Sequence, residues 1–294
     1  MRRDMAYCLF RWQVTPEEYF LFRFPALSEK GRGEYIGDLM KDMLCHRFET
    51  PGIKQIFKDK HLTYKHFGKY FGRECALVGK DDGVVRFREF LARHGQCMVK
   101  ALEESKGHGV FKYTRASIGE GEEKVGYLGD CLLEEVIEQA PELARFHPQS
   151  VNTVRFGTIH AREGIVELFA ELRMGCGDSF VDNAGAGGIV APIDLESGII
   201  SGVGRREDGQ TFVFHPDTHE QIVGARMPEW GQLRALVREL AAVVPEQRYV
   251  GWDIARSTAG WVLVEANERA QMIGYQLCAG HGIRKTIEKI YGLS

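Results

Sequence analysis

The stretch that decides the fold is Val250-Gly-Trp-Asp253-Ile-Ala-Arg-Ser257-Thr-Ala-Gly260-Trp261-Val-Leu-Val-Glu265-Ala-Asn267. Two short apolar runs flank the turn residues Ser257–Gly260, which predicts a β-hairpin. Side chains two apart in a strand share a face, so Glu265 and Asn267 point the same way. Closing the hairpin brings Asp253 beside them. Two carboxylates and an amide oxygen then converge, a hard all-oxygen set suited to Mg²⁺. The bland alternative is a surface hairpin with polar residues facing water. The apolar neighbours favour a half-buried one.

Working outward, Gln96–Leu102 reads as an apolar strand carrying Lys100, followed by a loop containing Gly107 and Gly109. A strand-end lysine before a glycine loop fits a flap over phosphates, because glycine N–H groups approach closely and the lysine adds charge. Such loops are common, so the pattern is weak by itself. Cys131–Ile137 is an apolar strand running into Glu134 and Glu135; together with Ile137 they could line a base pocket, or form an ordinary strand edge. Val151–Ile159 and Ile165–Met174 predict a second hairpin through Ala161–Gly164, with Arg155 on one strand and Arg173 on the other. Arginines on a sheet beside an anion can neutralise a transferring phosphoryl group or an acyl phosphate. A pair of solvated or salt-bridged arginines is the alternative. Asp182-Asn183 and the glycines Gly185, Gly187 and Gly188 follow directly.

The whole chain, 294 residues with 44% hydrophobic and 27% charged, has ample material for a core and does not read as disordered. Its formal charge of −3 lacks the basic excess that drives nucleic-acid binding. No apolar run approaches the ~18–20 residues of a membrane span. Ala6–Phe10 falls short of the ~7 apolar residues that a signal peptide needs. Seven scattered cysteines without a CxxC pair argue against a disulfide framework or a zinc ribbon and point to a cytoplasmic location. No GxxxxGK[ST], GxGxxG, GxSxG or HExxH motif occurs. Residues 1 to about 62 read as helical, with a break at Thr50-Pro51-Gly52 and a further aromatic-rich helix over Asp59–Phe71. Helical spacing returns in Val84–His94, Gln232–Val244 and Ile283–Ile290. Strands interspersed with helices and joined by hairpins predict an α+β fold. Glycine, at 34 residues, exceeds the usual ~7% and concentrates in the loops just described.

Taken in order, these pieces resemble an ATP-grasp enzyme. The matching residues are Asp59-Lys60, Lys100, Gly107–Gly109, Glu134–Ile137, Arg155, Arg173, Asn183 with Gly187-Gly188, and Asp253/Glu265/Asn267. SVNTVRFGTI, LRMG, VDNAGAGGI, HPDT, MPEW and VGWDIA…VEAN are most similar to the sugar-transfer-associated ATP-grasp family, which is linked to surface-polysaccharide synthesis. The resemblance runs over about residues 59–276. It implies two α+β lobes clasping ATP: residues 1–58 as a helical segment, 59–140 as the smaller lobe with the flap, and 141–294 as the lobe with the metal site. It implies ATP and Mg²⁺ as cofactors, with Mn²⁺ as a substitute ion. Lys60, Lys100, Gly107, Gly109, Glu134, Glu135 and Ile137 would bind the nucleotide. Asp253, Glu265 and Asn267 would hold the metal, and Arg155, Arg173 and Asn183 would act on the reacting groups. The implied reaction is carboxylate–amine ligation on small-molecule substrates, with no nucleic-acid or membrane partner and the oligomeric state open. A phosphotransferase acting on a hydroxyl is the alternative on the same scaffold. The chain departs from the family pattern in three places. A short helical segment replaces a full amino-terminal domain. The ribose-binding acid has no clear counterpart, because Gln139–Gln149 looks inserted; Glu142 is the candidate. Glu268-Arg269-Ala270 stands where many members place a proline. His215 and Trp230 are further candidates for acceptor contacts, with a backbone-bonded turn as the other reading of His215.

Overall fold

In a computed structural model, residues 1–103, 109–179 and 187–292 are described. Two antiparallel sheets organise the chain. The first contains β1 (Cys75–Val78), β2 (Gln96–Ala101), β3 (Val110–Thr114) and β4 (Cys131–Glu135), in the spatial order β1-β4-β2-β3. The second contains β5 (Thr153–Ala161), β6 (Gly164–Met174), β7 (Ile189–Ile193), β8 (Gly204–Arg205), β9 (Thr211–Phe212), β10 (Tyr249–Ser257) and β11 (Gly260–Asn267), in the order β11-β10-β5-β6-β7-β8-β9. Both expected hairpins are present, β5–β6 and β10–β11. The architecture is α+β.

Alternation along the strands sorts each sheet into two faces. In the first sheet Cys97, Val99, Cys131 and Leu133 pack against Phe87, Phe90 and Leu91 of the helix Gly83–His94 and Val125 of the helix Ile118–Leu128. Met98, Lys100, Leu132 and Glu134 therefore lie on the opposite face, where Leu132 joins the main core. In the second sheet Val154, Phe156, Ala170, Leu172, Trp252 and Ile254 form that main core with Leu233, Val237 and Leu240 of the helix Trp230–Val243. Trp252 is the centre of it. Phe67 stands 5.5 Å and Phe57 6.4 Å from its ring, so the helices Ile53–Lys58 and Lys60–Phe67 rest on the larger sheet. The N-terminus of the second of these helices also reaches the smaller sheet, where the Lys60 N–H donates to Leu102 O at 3.1 Å. Asp59 caps that helix, accepting from the His61 and Leu62 N–H groups.

The remaining face of the larger sheet is polar toward one end and apolar toward the other. At the apolar end Ile159, Phe169 and Tyr249 are covered by Ile36, Met40 and Leu44 and by Ile283 and Ile287. The amino-terminal helical segment thus seals part of this face together with the carboxy-terminal helices. Gln276, fully buried, fastens the two by pairing both of its amide atoms with the Ile36 backbone at 2.9 Å. All seven cysteines are free thiols. Among the described residues no helix is long and apolar enough to cross a membrane.

Gly157 shows how closely this face is packed. It sits at a register shift in the β5–β6 ladder, and a Cβ there would collide with the Phe169 ring. Gly157→Ala is expected to cost about 1–3 kcal/mol of stability through overpacking, read as a lower urea midpoint with an unchanged m value.

Candidate functional site

The polar end of the larger sheet is assembled by strand register. Directly opposed residues on antiparallel strands share a face. Asp253 is opposed by Arg155 on one side and by Glu265 on the other, and Arg155 is opposed in turn by Glu171. Arg173 and Asn267 fall on the same face by the two-residue period. A shift in the β10–β11 register between Asp253 and Ile254 accommodates one extra residue in β11, so Glu265 stays opposite Asp253. Arg155, Arg173, Asp253, Glu265 and Asn267 are therefore brought together.

Asp253 is the hub. Its Oδ1 accepts from Arg155 Nε at 2.7 Å, and its Oδ2 from Arg155 Nη2 at 2.6 Å. Arg173 Nη1 and Asn267 Nδ2 donate to the same Oδ2 at 3.2 and 3.3 Å. The fork-on-fork pairing with Arg155 sets both planes. Asp253 is only 4% exposed. Burial alone would raise its carboxyl, but the charges and hydrogen bonds of Arg155 and Arg173 outweigh that and hold it below the ordinary aspartate range. Arg155 is correspondingly held more firmly protonated, with Asp253, Glu171 and Glu265 overcoming its own burial. Glu265 is half-buried and makes no hydrogen bond or ion pair among the described residues. Glu171, buried on the same face, is a third carboxylate that sequence reasoning did not single out; the alternating pattern E-L-R of β6 is its only signal.

The donors fit a hard cation by chemistry, being two carboxylates and an amide. Among the described residues no cluster of three or more His, Cys, Asp or Glu is placed to hold a metal.

A second charged cluster lies on the smaller sheet. Lys100 and Glu134 occupy its inner face on neighbouring strands, and Lys100 Nζ donates to Glu134 Oε2 at 2.8 Å. Arg73 donates to the same oxygen through Nε and Nη2, at 3.0 and 2.7 Å. Burial would raise Glu134, yet the two cations bring it from 4.5 to about 2. Glu135 points to the other face, accepting from the Glu74 N–H at 3.2 Å. Ile137 lies beyond the end of β4, shorter than the expected strand. Gly109 adopts φ +73°, and its carbonyl accepts from the Ala101 N–H at 2.9 Å, next to the β2–β3 pairing. Gly107 and Asn183 lie outside the described residues, as do Asp182 and Gly185.

The chain that leaves β6 is strapped down. Asn152 Oδ1 accepts from Gly175 N at 3.2 Å, His215 Nε2 contacts Gly175 O at 2.9 Å, and His147 Nε2 contacts Gly177 O at 2.9 Å. Asp217 N donates to His215 Nδ1 at 3.3 Å, so the ring is neutral with its proton on Nε2. Burial lowers its pKa in agreement. His215 is thus a buried anchor bonded to backbone. Trp230, considered as an acceptor contact, is instead in the core; its ring stacks on Phe156 at 5.7 Å and its Nε1 donates to Leu195 O. Glu142 is exposed, in a surface cavity with Arg145, Glu220 and Arg226.

The two sheets and the arginine-bound acidic hairpin define an ATP-grasp fold. A family model described as sugar-transfer associated ATP-grasp matches residues 89–292, and the chain belongs to that family. No curated protein matches the chain. Among solved structures, it is similar to D-alanyl-alanine synthetase A from Vibrio cholerae O1 biovar eltor, at 11% identity and TM-score 0.53 over 82% of this chain and 66% of that one. It is also similar to the ATP-grasp ligase PsnB, complexed with a phosphomimetic variant of a minimal precursor, Mg and ADP, at 11% identity and TM-score 0.52 over 87% and 66%. D-cycloserine synthetase DcsG matches at 12% identity and TM-score 0.52 over 95% and 94%. The chain therefore spans about two thirds of the length of the first two.

Glu134 makes acid sensitivity testable. Its folded pKa lies below its unfolded one, so its contribution is complete above about pH 4.5 and is lost as pH falls toward 2. Thermal melting of Glu134→Gln is expected to depend less steeply on pH across that window than melting of the native chain.

Proposed function

We propose that the chain is an ATP- and Mg²⁺-dependent carboxylate–amine ligase working through an acyl phosphate. The observation that carries this is the convergence of Arg155, Arg173, Asp253, Glu265 and Asn267 on one sheet face. The synthetase and ligase names of the fold's solved neighbours support it. Residues 59–140 and 141–294 serve as the two lobes around the nucleotide, and 1–58 as a helical cover.

In this reading Lys60 and Lys100 carry charge to the phosphates, the flap with Gly107 and Gly109 closes over them, and backbone groups of Glu134, Glu135 and Ile137 meet the base. Asp253, Glu265 and Asn267 would hold Mg²⁺, which would supply charge neutralisation on the phosphates. A substrate carboxylate oxygen attacks the γ-phosphorus and ADP leaves. An amine nitrogen then attacks the acyl carbon, phosphate leaves, and the nitrogen loses a proton. The chain needs no nucleophile of its own. Its work is positioning and charge stabilisation, and Arg155, Arg173 and Asn183 would supply N–H donors to the developing negative charge. Exclusion of water by the flap protects the acyl phosphate. The family's description as sugar-transfer associated supports a sugar-linked substrate, and within this proposal the chain forms an amide on a sugar-linked acid or amine for surface-polysaccharide synthesis in the cytoplasm.

Screening amino acids against sugar acids and nucleotide sugars, with mass detection, tests this reading. An amide with stoichiometric free phosphate supports it; a phosphorylated acceptor without free phosphate overturns it in favour of a phosphotransferase. Glu265→Gln disturbs no hydrogen bond among the described residues and is expected to abolish turnover with native circular dichroism. Asp253→Asn is expected to do the same while losing some stability, because it weakens the pairing of two guanidiniums. Arg173→Met is expected to lower kcat roughly 100-fold or more. Full activity in the first two variants would remove the metal assignment.

A further inference from the structure

Arg73 occupies a position that the reading above leaves unused. It precedes β1, its side chain is 4% exposed, and every nitrogen of its guanidinium is engaged. Nε and Nη2 donate to Glu134 Oε2, while Nη1 donates to Phe71 O at 3.0 Å and to Leu263 O at 2.7 Å. The guanidinium also lies over the Phe71 ring, 4.6 Å from its centroid. Leu263 sits at the register shift of the β10–β11 hairpin, two residues before Glu265. One side chain thus ties the strand bearing Glu134 to the strand bearing Glu265.

The charge arithmetic gives this contact a purpose. Glu134 Oε2 accepts from two cations at once, Arg73 and Lys100. If Lys100 were its only partner, turning the ammonium toward a phosphate would strand a buried carboxylate without a counter-ion, a costly state. With Arg73 fixed in place, Glu134 keeps a charged partner whichever way Lys100 turns. Lysine is suited to that movement, being a point charge on a flexible stem, whereas the arginine fork is held in a plane by its other acceptors.

We infer that Arg73 is a positioning residue for nucleotide binding: it keeps Glu134 paired and so frees Lys100 for the phosphates. This rests on the reading of Lys100 as a phosphate ligand. The test is calorimetric binding of Mg·AMPPNP to the full chain and to Lys100→Met, Arg73→Met, Glu134→Gln and Arg73→Met/Glu134→Gln variants. Lys100→Met and Arg73→Met are each expected to weaken binding about tenfold or more. Removing the Glu134 charge should rescue the arginine variant, with the double variant within about threefold of Glu134→Gln alone. A purely structural role for Arg73 predicts no such rescue. Native affinity in folded Arg73→Met, or a double variant as weak as Arg73→Met, overturns the inference while leaving Lys100 in its role. Unchanged affinity in Lys100→Met overturns the phosphate reading and the inference with it. If Arg73→Met does not fold, Glu134→Gln and the double variant still decide: equal affinities support the inference, and a tenfold gap overturns it.

Discussion

The pairing of Arg155 with Asp253 across β5 and β10 is the interaction on which the rest of the site depends. It exists because those two strands align Val154 and Phe156 with Trp252 and Ile254 on the core face. A slip of one residue would bury the charged set in the core and expose the aromatic one, so the core fixes the register strongly. Glycine does its share on the polar face. Gly157 leaves room for the Phe169 ring on the neighbouring strand, and Gly251 for the Ala270 methyl group of the segment that follows β11. The helical segment and the carboxy-terminal helices finish the enclosure, through Gln276 and a shared apolar cluster.

Both charged clusters follow one plan: a buried carboxylate accepts from two cations. Asp253 holds Arg155 and Arg173, and Glu134 holds Arg73 and Lys100. Two unit charges about 4 Å apart attract by roughly 4 kcal/mol at an effective dielectric near 20, while desolvating each ion costs several kcal/mol. Such clusters are therefore poor devices for stability alone. In the proposed function they serve as preorganised positive charge for a polyanionic ligand, one cluster on each sheet.

Much of this was legible in the sequence. The hairpins, the helices Gly83–His94 and Trp230–Val243, and the sharing of a face by Glu265 and Asn267 follow from period and turn chemistry. The pairing of Asp253 with Arg155 does not, because register between residues 98 apart in the chain is a property of packing. The helix Ile118–Leu128 was hidden by Gly119, Gly121 and Gly126, each unfavourable in a helix; Gly121 is there because a Cβ would strike the Phe87 ring. Strands β8 and β9, two residues each, carry no periodic signal. Arg73 and Glu171 show no motif, since their importance comes from what tertiary structure sets beside them. Trp230, a candidate acceptor contact in the sequence, packs in the core and donates its indole N–H to a backbone carbonyl.

In the proposed function the Asp253–Glu265–Asn267 face receives a metal–nucleotide complex. Calorimetry of AMPPNP binding, with and without Mg²⁺, compares the native chain with Glu265→Gln without requiring knowledge of the substrates. Mg²⁺ is expected to tighten binding to the native chain, and Glu265→Gln to lose most of this gain while keeping its metal-free affinity. An equal Mg²⁺-dependent gain in both proteins would contradict it.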